Sequence, residues 1–79
     1  MGRYFAVDLG AESGRCIAGT LENGIIKLDE LWRFPTQGLK IRGEWKWNVY
    51  RFYEEILKGL RIYADQYGPE LDSIGVDTW

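Results

Sequence analysis

Glu22-Asn23-Gly24-Ile25 restricts the fold of this chain more than any other stretch. Asparagine and glycine both tolerate a positive φ, so Asn-Gly between two apolar runs is the strongest short signal of a two-residue hairpin. The run before it, Arg15 to Leu21, and the run after it, Ile25 to Phe34, are then antiparallel neighbours. In the first, Cys16 and Ala18 share one face and Ile17 takes the other. In the second, Ile26, Leu28, Trp32 and Phe34 share a face that Glu30 interrupts, while Lys27, Asp29 and Arg33 share the other.

Upstream, Arg3 to Leu9 is almost continuously apolar, which suits a strand buried on both faces. Gly10 to Gly14 forms the tight turn that joins it to the second strand. Pro35 to Gly43 holds no period and reads as a loop. Then the period changes. Asn48 is an N-cap, and Val49, Phe52, Tyr53, Ile56, Leu57, Leu60, Ala64 and Tyr67 follow the i, i+3, i+4 spacing of a helix. That helix is about 28 Å long at 1.5 Å per residue. Glu54 and Lys58 pair on its outer side, and Gly68-Pro69 stops it. Leu71 to Val76 is a fourth strand, running into Asp77-Thr78-Trp79. A helical crossover lays it parallel to the first strand. The fold class is α/β: an antiparallel meander of three strands, a crossover helix and a parallel fourth strand.

Composition narrows the chemistry. The 79 residues leave room for one small domain, and 46% hydrophobic content supports a packed core. Histidine is absent and Cys16 is the lone cysteine, so a disulfide framework, a His/Cys zinc site and His-dependent triads are excluded. Cys16 reads as a small core residue. The net charge of −2 gives no bulk attraction to nucleic acid, and no apolar run is long enough to span a bilayer. A single thiol and the lack of an apolar leader point to the cytoplasm.

The remaining signal is Ala6 to Arg15, AVDLGAESGR. A Walker loop needs four residues between its glycines, then Lys and Ser or Thr; here three residues separate Gly10 from Gly14, and Arg15-Cys16 follows. A dinucleotide fingerprint needs Gly-x-Gly-x-x-Gly before a helix, and here a strand follows. A hairpin loop whose backbone N–H groups form a nest for phosphate oxygens remains. Ser13 can donate to a phosphate, Arg15 can pair with one, and Asp8 can hold a hydrated Mg²⁺. The same residues also suit a plain turn, with Asp8 and Ser13 bonding turn amides. Chemistry alone leaves both readings open.

The stretch resembles the first phosphate motif of the FGGY carbohydrate kinases, members of the actin-like ATPase superfamily with its ribonuclease H-like fold. Their pattern is Asp-x-Gly, a small residue, x, Ser, x, Arg, and Asp8, Gly10, Ala11, Ser13 and Arg15 match it. The form Asp-Leu-Gly-Ala-x-Ser-Gly-Arg resembles the branch of that family that acts on L-rhamnulose. Trp47 before the helix and Asp72 to Trp79, DSIGVDTW, resemble the same branch.

The resemblance implies transfer of the ATP γ-phosphoryl group to L-rhamnulose, giving the 1-phosphate. Its alternatives are another sugar of the family (xylulose, fuculose, glycerol) or a non-catalytic actin-like nucleotide-binding or interaction module. It implies ATP phosphate contacts at Gly10, Ala11, Glu12, Ser13, Gly14 and Arg15, an Mg²⁺ ion held through water by Asp8, and sugar contacts near Asp77, Thr78 and Trp79. The general base and the adenosine pocket lie outside these residues. Residues 1–79 are then the N-terminal portion of the first kinase domain, inactive alone. Trp32, Phe34, Trp45, Trp47 and Trp79 are expected to be partly uncovered, which favours self-association through edge pairing or swapping.

Overall fold

The Asn23-Gly24 turn has φ values of 54° and 76°, the left-handed pair a type I′ hairpin requires. It joins β2 (Ser13–Glu22) to β3 (Ile25–Pro35), with Glu22 opposite Ile25. β1 (Gly2–Leu9) runs antiparallel to β2, from Gly2 opposite Leu21 to Leu9 opposite Gly14. The computed structural model describes residues 2–36 and 38–78.

Where no period was legible, the chain forms a second small hairpin. β4 (Leu39–Ile41) pairs with β5 (Glu44–Lys46) around Arg42-Gly43, whose φ values of 52° and 81° repeat the left-handed turn. Two three-residue strands are too short to show alternation, so the expected loop is corrected to a hairpin. α1 (Val49–Tyr67) follows. Its Asn48 cap accepts the Arg51 N–H at 3.2 Å, and Gly68, at φ 83°, donates its N–H to Ala64. β6 (Ser73–Thr78) lies parallel to β1, from Tyr4 beside Ser73 to Leu9 beside Thr78. The sheet order is β3-β2-β1-β6. Arg3 and Asp72 lock the start of β6: the Asp72 N–H donates to the Arg3 carbonyl at 2.8 Å, and the Arg3 N–H donates to the Asp72 carboxylate at 2.7 Å.

One sheet face carries the core. Phe5, Val7, Cys16, Ala18 and Phe34 meet Phe52 and Tyr63 of α1, with Phe5 and Tyr63 edge to face at 6.1 Å. Gly59 sets the helix depth, since a Cβ there would lie 2.5 Å from Cys16 Sγ. The helix stripe is therefore turned from the one periodicity suggests. Phe52, Glu55, Gly59 and Tyr63 are buried, while Val49, Tyr53 and Ala64 are exposed. Glu55 is inside because its carboxylate accepts from Trp32 Nε1 at 2.7 Å. Lys58 pairs with Glu55 at 3.4 Å rather than with Glu54.

β1 is covered on one side only. Phe5 and Val7 are buried under α1, but Tyr4 and Ala6 are exposed on the far face. The shared face expected in β3 is split by a bulge. Cys16 stands opposite Trp32 and Ile17 opposite Glu30, leaving Leu31 without a partner. Trp32 and Phe34 face the helix, and Ile26 and Leu28 face away. Asp29 faces the helix too, where it accepts the Tyr67 hydroxyl at 2.7 Å. Phe34, expected to be partly uncovered, is buried; Trp45 and Trp47 are exposed. Among the described residues no helix is long and apolar enough to cross a membrane.

Candidate functional site: the β1–β2 loop and its charge row

Residues 10–12 link β1 to β2 in a tight turn. The Gly10 N–H donates to the Ser13 carbonyl at 2.9 Å, and a Cβ on Gly10 would sit 3.0 Å from that oxygen. At Gly14 a Cβ would collide with the Phe34 ring, so this glycine is required by core packing. Thr36, completely buried, fastens the loop from below. Its N–H donates to the Glu12 carbonyl at 3.1 Å and its hydroxyl to the Gly10 carbonyl at 2.6 Å.

The carbonyls of Gly10, Glu12 and Ser13 are thus all engaged. Among the described residues, nothing in the chain accepts the N–H of Ala11 or Glu12. A loop with spent carbonyls and open amides presents positive partial charge, which is what an anion-binding nest needs. Of the six loop residues expected to bind phosphate, the Gly10 amide is used to close the turn and Gly14 is buried; Ala11, Glu12, Ser13 and Arg15 remain accessible.

Beside the loop, the registers of all four strands place one residue each in a single row. Asp77 of β6 stands beside Asp8 of β1, Asp8 opposite Arg15 of β2, and Arg15 opposite Arg33 of β3. The row lies on the sheet face away from α1. Arg15 donates to the Asp8 carboxylate at 2.6 Å, each side chain being a little over one-third exposed. Arg33 pairs with Glu30 at 2.7 Å. Among the described residues, nothing accepts from the buried Arg15 Nε. The row thus runs from two acidic residues on β6 and β1 to two basic residues on β2 and β3. A divalent cation of the Mg²⁺ type suits such a place, because it takes one or two carboxylates and completes its shell with water and phosphate oxygens. Among the described residues no cluster of three or more His, Cys, Asp or Glu gathers, so an all-protein cage for a metal is not built here.

The expected sugar-side residues separate. Asp77 joins the row, whereas Thr78, in register with the core-packed Leu9, lies on the helix side. Trp79 lies outside the described residues. Thr36 and Arg33 were not legible as site residues: a single threonine after Pro35 carries no spacing signal, and only the Leu31 bulge places Arg33 beside Arg15. The β4–β5 hairpin adds a cleft of about 220 Å³ lined by Gly38, Trp45, Lys46 and Trp47.

No family model matches the chain. A rhamnulokinase of Bacteroides thetaiotaomicron is 43% identical over 76 residues, which is 96% of this chain and 16% of that protein. One from Oceanobacillus iheyensis is 43% identical over 94% of this chain and 16% of its own length, and one from Bacillus subtilis 34% identical over 96% and 16%. A crystal structure of the Aquifex aeolicus member of the Ppx/GppA family superposes with a TM-score of 0.65 at 18% identity, over 98% of this chain and 26% of that one. In sequence the chain belongs with the rhamnulokinases, spanning about one-sixth of their length, and in fold it is of the type seen in the Ppx/GppA structure.

Proposed function

We propose that these residues form the N-terminal part of the first domain of an ATP-dependent carbohydrate kinase that converts L-rhamnulose to L-rhamnulose 1-phosphate, in the cytoplasm, and that the β1–β2 loop is its phosphate-binding element. The observation that carries this reading is the Thr36-fastened loop, whose carbonyls are engaged and whose Ala11 and Glu12 amides are open, beside the Asp8–Arg15 pair. Resemblance to rhamnulokinases along nearly the whole chain supports the substrate.

Phosphoryl transfer depends on positioning and charge neutralisation. The Ala11 and Glu12 amides, the Ser13 hydroxyl and Arg15 bind phosphate oxygens. Asp8 would hold a hydrated Mg²⁺, which would supply charge neutralisation at the nucleotide phosphates. Asp77, in register with Asp8, is assigned to the sugar side of the site. The proton acceptor for that hydroxyl is supplied by other parts of the kinase, so residues 1–79 alone do not transfer phosphate.

A chimera tests this. Residues 1–79 replace the matching segment of the Bacteroides thetaiotaomicron rhamnulokinase, and ADP release is followed with L-rhamnulose, xylulose, fuculose and glycerol. Release with L-rhamnulose above the other three is expected. A folded chimera that prefers another sugar, or releases no ADP with any of them, would overturn the reading.

A further inference from the structure

We propose that the cleft at the base of the β4–β5 hairpin binds one free monosaccharide, its ring stacked on Trp45 and Trp47 above the bare backbone of Gly38. The proposal goes beyond the reading of the β1–β2 loop and stands on the hairpin alone.

Alternate residues along a strand share a face, so Trp45 and Trp47 lie on one side of the hairpin, about 6.6 Å apart at 3.3 Å per residue. Leu39 stands opposite Lys46, and that register continued by one position sets Gly38 opposite Trp47. The cleft of about 220 Å³ opens at this point. Among the described residues, the glycines with positive φ are Gly24, Gly43 and Gly68, so the backbone at Gly38 does not itself call for glycine. The space above it does. A Cβ there would lie 3.2 Å from the Lys46 carbonyl oxygen and 3.5 Å from the Trp45 ring. The missing side chain is what keeps the cleft open.

The indoles are not core residues. Among the described residues, neither β4 nor β5 packs on the four-stranded sheet or on α1. Trp45 is 73% exposed and Trp47 44%. Trp47 tilts against Phe52 at 6.3 Å between ring centroids, and the burial of Phe52 in the core fixes that wall of the cleft.

Size and charge select the ligand. Pockets for drug-sized molecules run to about 300–1,000 Å³, so this smaller cleft takes a single ring. The Lys46 ammonium opposes a cation, while Glu44, paired with it at 3.0 Å, and the Lys46 carbonyl oppose an anion. The ligand is therefore neutral. An indole face is electron-rich and attracts the polarised C–H bonds on the face of a sugar ring. The Lys46 carbonyl borders the same space, and with two lone pairs it can accept from a sugar hydroxyl even where the strand ladder uses one. A sugar supplies the C–H face and the hydroxyl together.

The test titrates the 79-residue chain with L-rhamnose and follows the indole Nε1–H and backbone amide signals. Saturating shifts at Trp45, Trp47 and the Gly38 amide are expected in the millimolar range, with β1 to β3 unmoved. Trp45→Ala is expected to weaken the binding seen at Trp47 by about five-fold or more, the worth of one stacked ring. Gly38→Val, which puts a side chain into the cleft, is expected to abolish it. If Gly38→Val unpairs the hairpin, Trp45→Ala against Trp45→Tyr decides, since tyrosine restores a ring face and should restore binding. Shifts that stay linear in sugar concentration, or that survive Gly38→Val in a paired hairpin, overturn the site. Inorganic phosphate, tetramethylammonium or adenosine binding more tightly than L-rhamnose at the same signals overturns the sugar assignment. The phosphate loop is read from separate signals at residues 10–15, so its failure and the failure of this site are distinguishable.

Discussion

Thr36 donates its hydroxyl to the carbonyl of Gly10 at 2.6 Å, joining the exit of β3 to the loop that follows β1. The two residues are 26 positions apart in sequence, and the bond holds the far end of a hairpin meander against its beginning. Replacing Thr36 with Val keeps the volume and removes the donor. The loss expected is about 1 kcal/mol of unfolding free energy, the net worth of one hydrogen bond to a half-buried carbonyl. Urea denaturation measures it, and amide exchange at Ala11 and Glu12 should quicken in the same variant.

Gly14 is held by packing rather than by backbone conformation. The Phe34 ring occupies the space a Cβ would need. Gly14→Ala should therefore cost about 1–3 kcal/mol through overpacking. Gly14→Ala combined with Phe34→Leu should recover part of the loss, and a double-mutant cycle in urea measures the coupling.

Burial, with the Glu55 carboxylate as the second cause, pushes the Cys16 thiol up to about 11 from its ordinary 9.0. The folded state keeps its proton where the unfolded state releases it. The thiol's contribution is thus complete below pH 9 and is lost as pH rises from 9 to 11, at about 1.4 kcal/mol per pH unit. Tyr67, raised by its hydrogen bond to Asp29, is affected in the same direction. Comparing the wild type with Cys16→Ala isolates the thiol: the stability difference between them should shift against the wild type across this window. Thiol reagents should label Cys16 only on unfolding.

β6 is an edge strand, and Ile74 and Val76 are exposed on its helix side. An antiparallel pairing of two β6 strands centred on Gly75 sets Ile74 opposite Val76 and Asp77 opposite Ser73, with no like charges facing. The 79-residue chain is therefore expected to dimerise at high concentration. Light scattering should show the dimer, and Val76→Lys should return it to a monomer. A wild-type chain that stays monomeric at millimolar concentration would contradict this pairing.

The framework was legible because its signals are local. Asn23-Gly24 announced the hairpin, Asn48 and Gly68 bounded the helix, and a crossover helix leaves one usual place for a strand such as β6. What could not be read depends on contacts between distant residues. The bulge at Leu31 moves Ile26 and Leu28 to the opposite face from Trp32, although alternation alone puts them together. Glu55 looks like a solvent-facing residue until the Trp32 indole reaches it. In the site, the spacing of Asp8 and Arg15 was visible from the motif, but their meeting needs the register of β1 against β2. Thr36 entered through a bond that no spacing in the sequence foretells.

On the function proposed above, the backbone of residues 10–15 receives the phosphates of ATP. A crystal structure of the kinase chimera with magnesium and a non-hydrolysable ATP analogue tests it most directly. The prediction is β- or γ-phosphate oxygens within hydrogen-bonding distance of the Ala11 and Glu12 amides, with Arg15 turned from Asp8 to phosphate. A bound analogue whose phosphates lie away from this loop, with the Asp8–Arg15 pair intact, would contradict it.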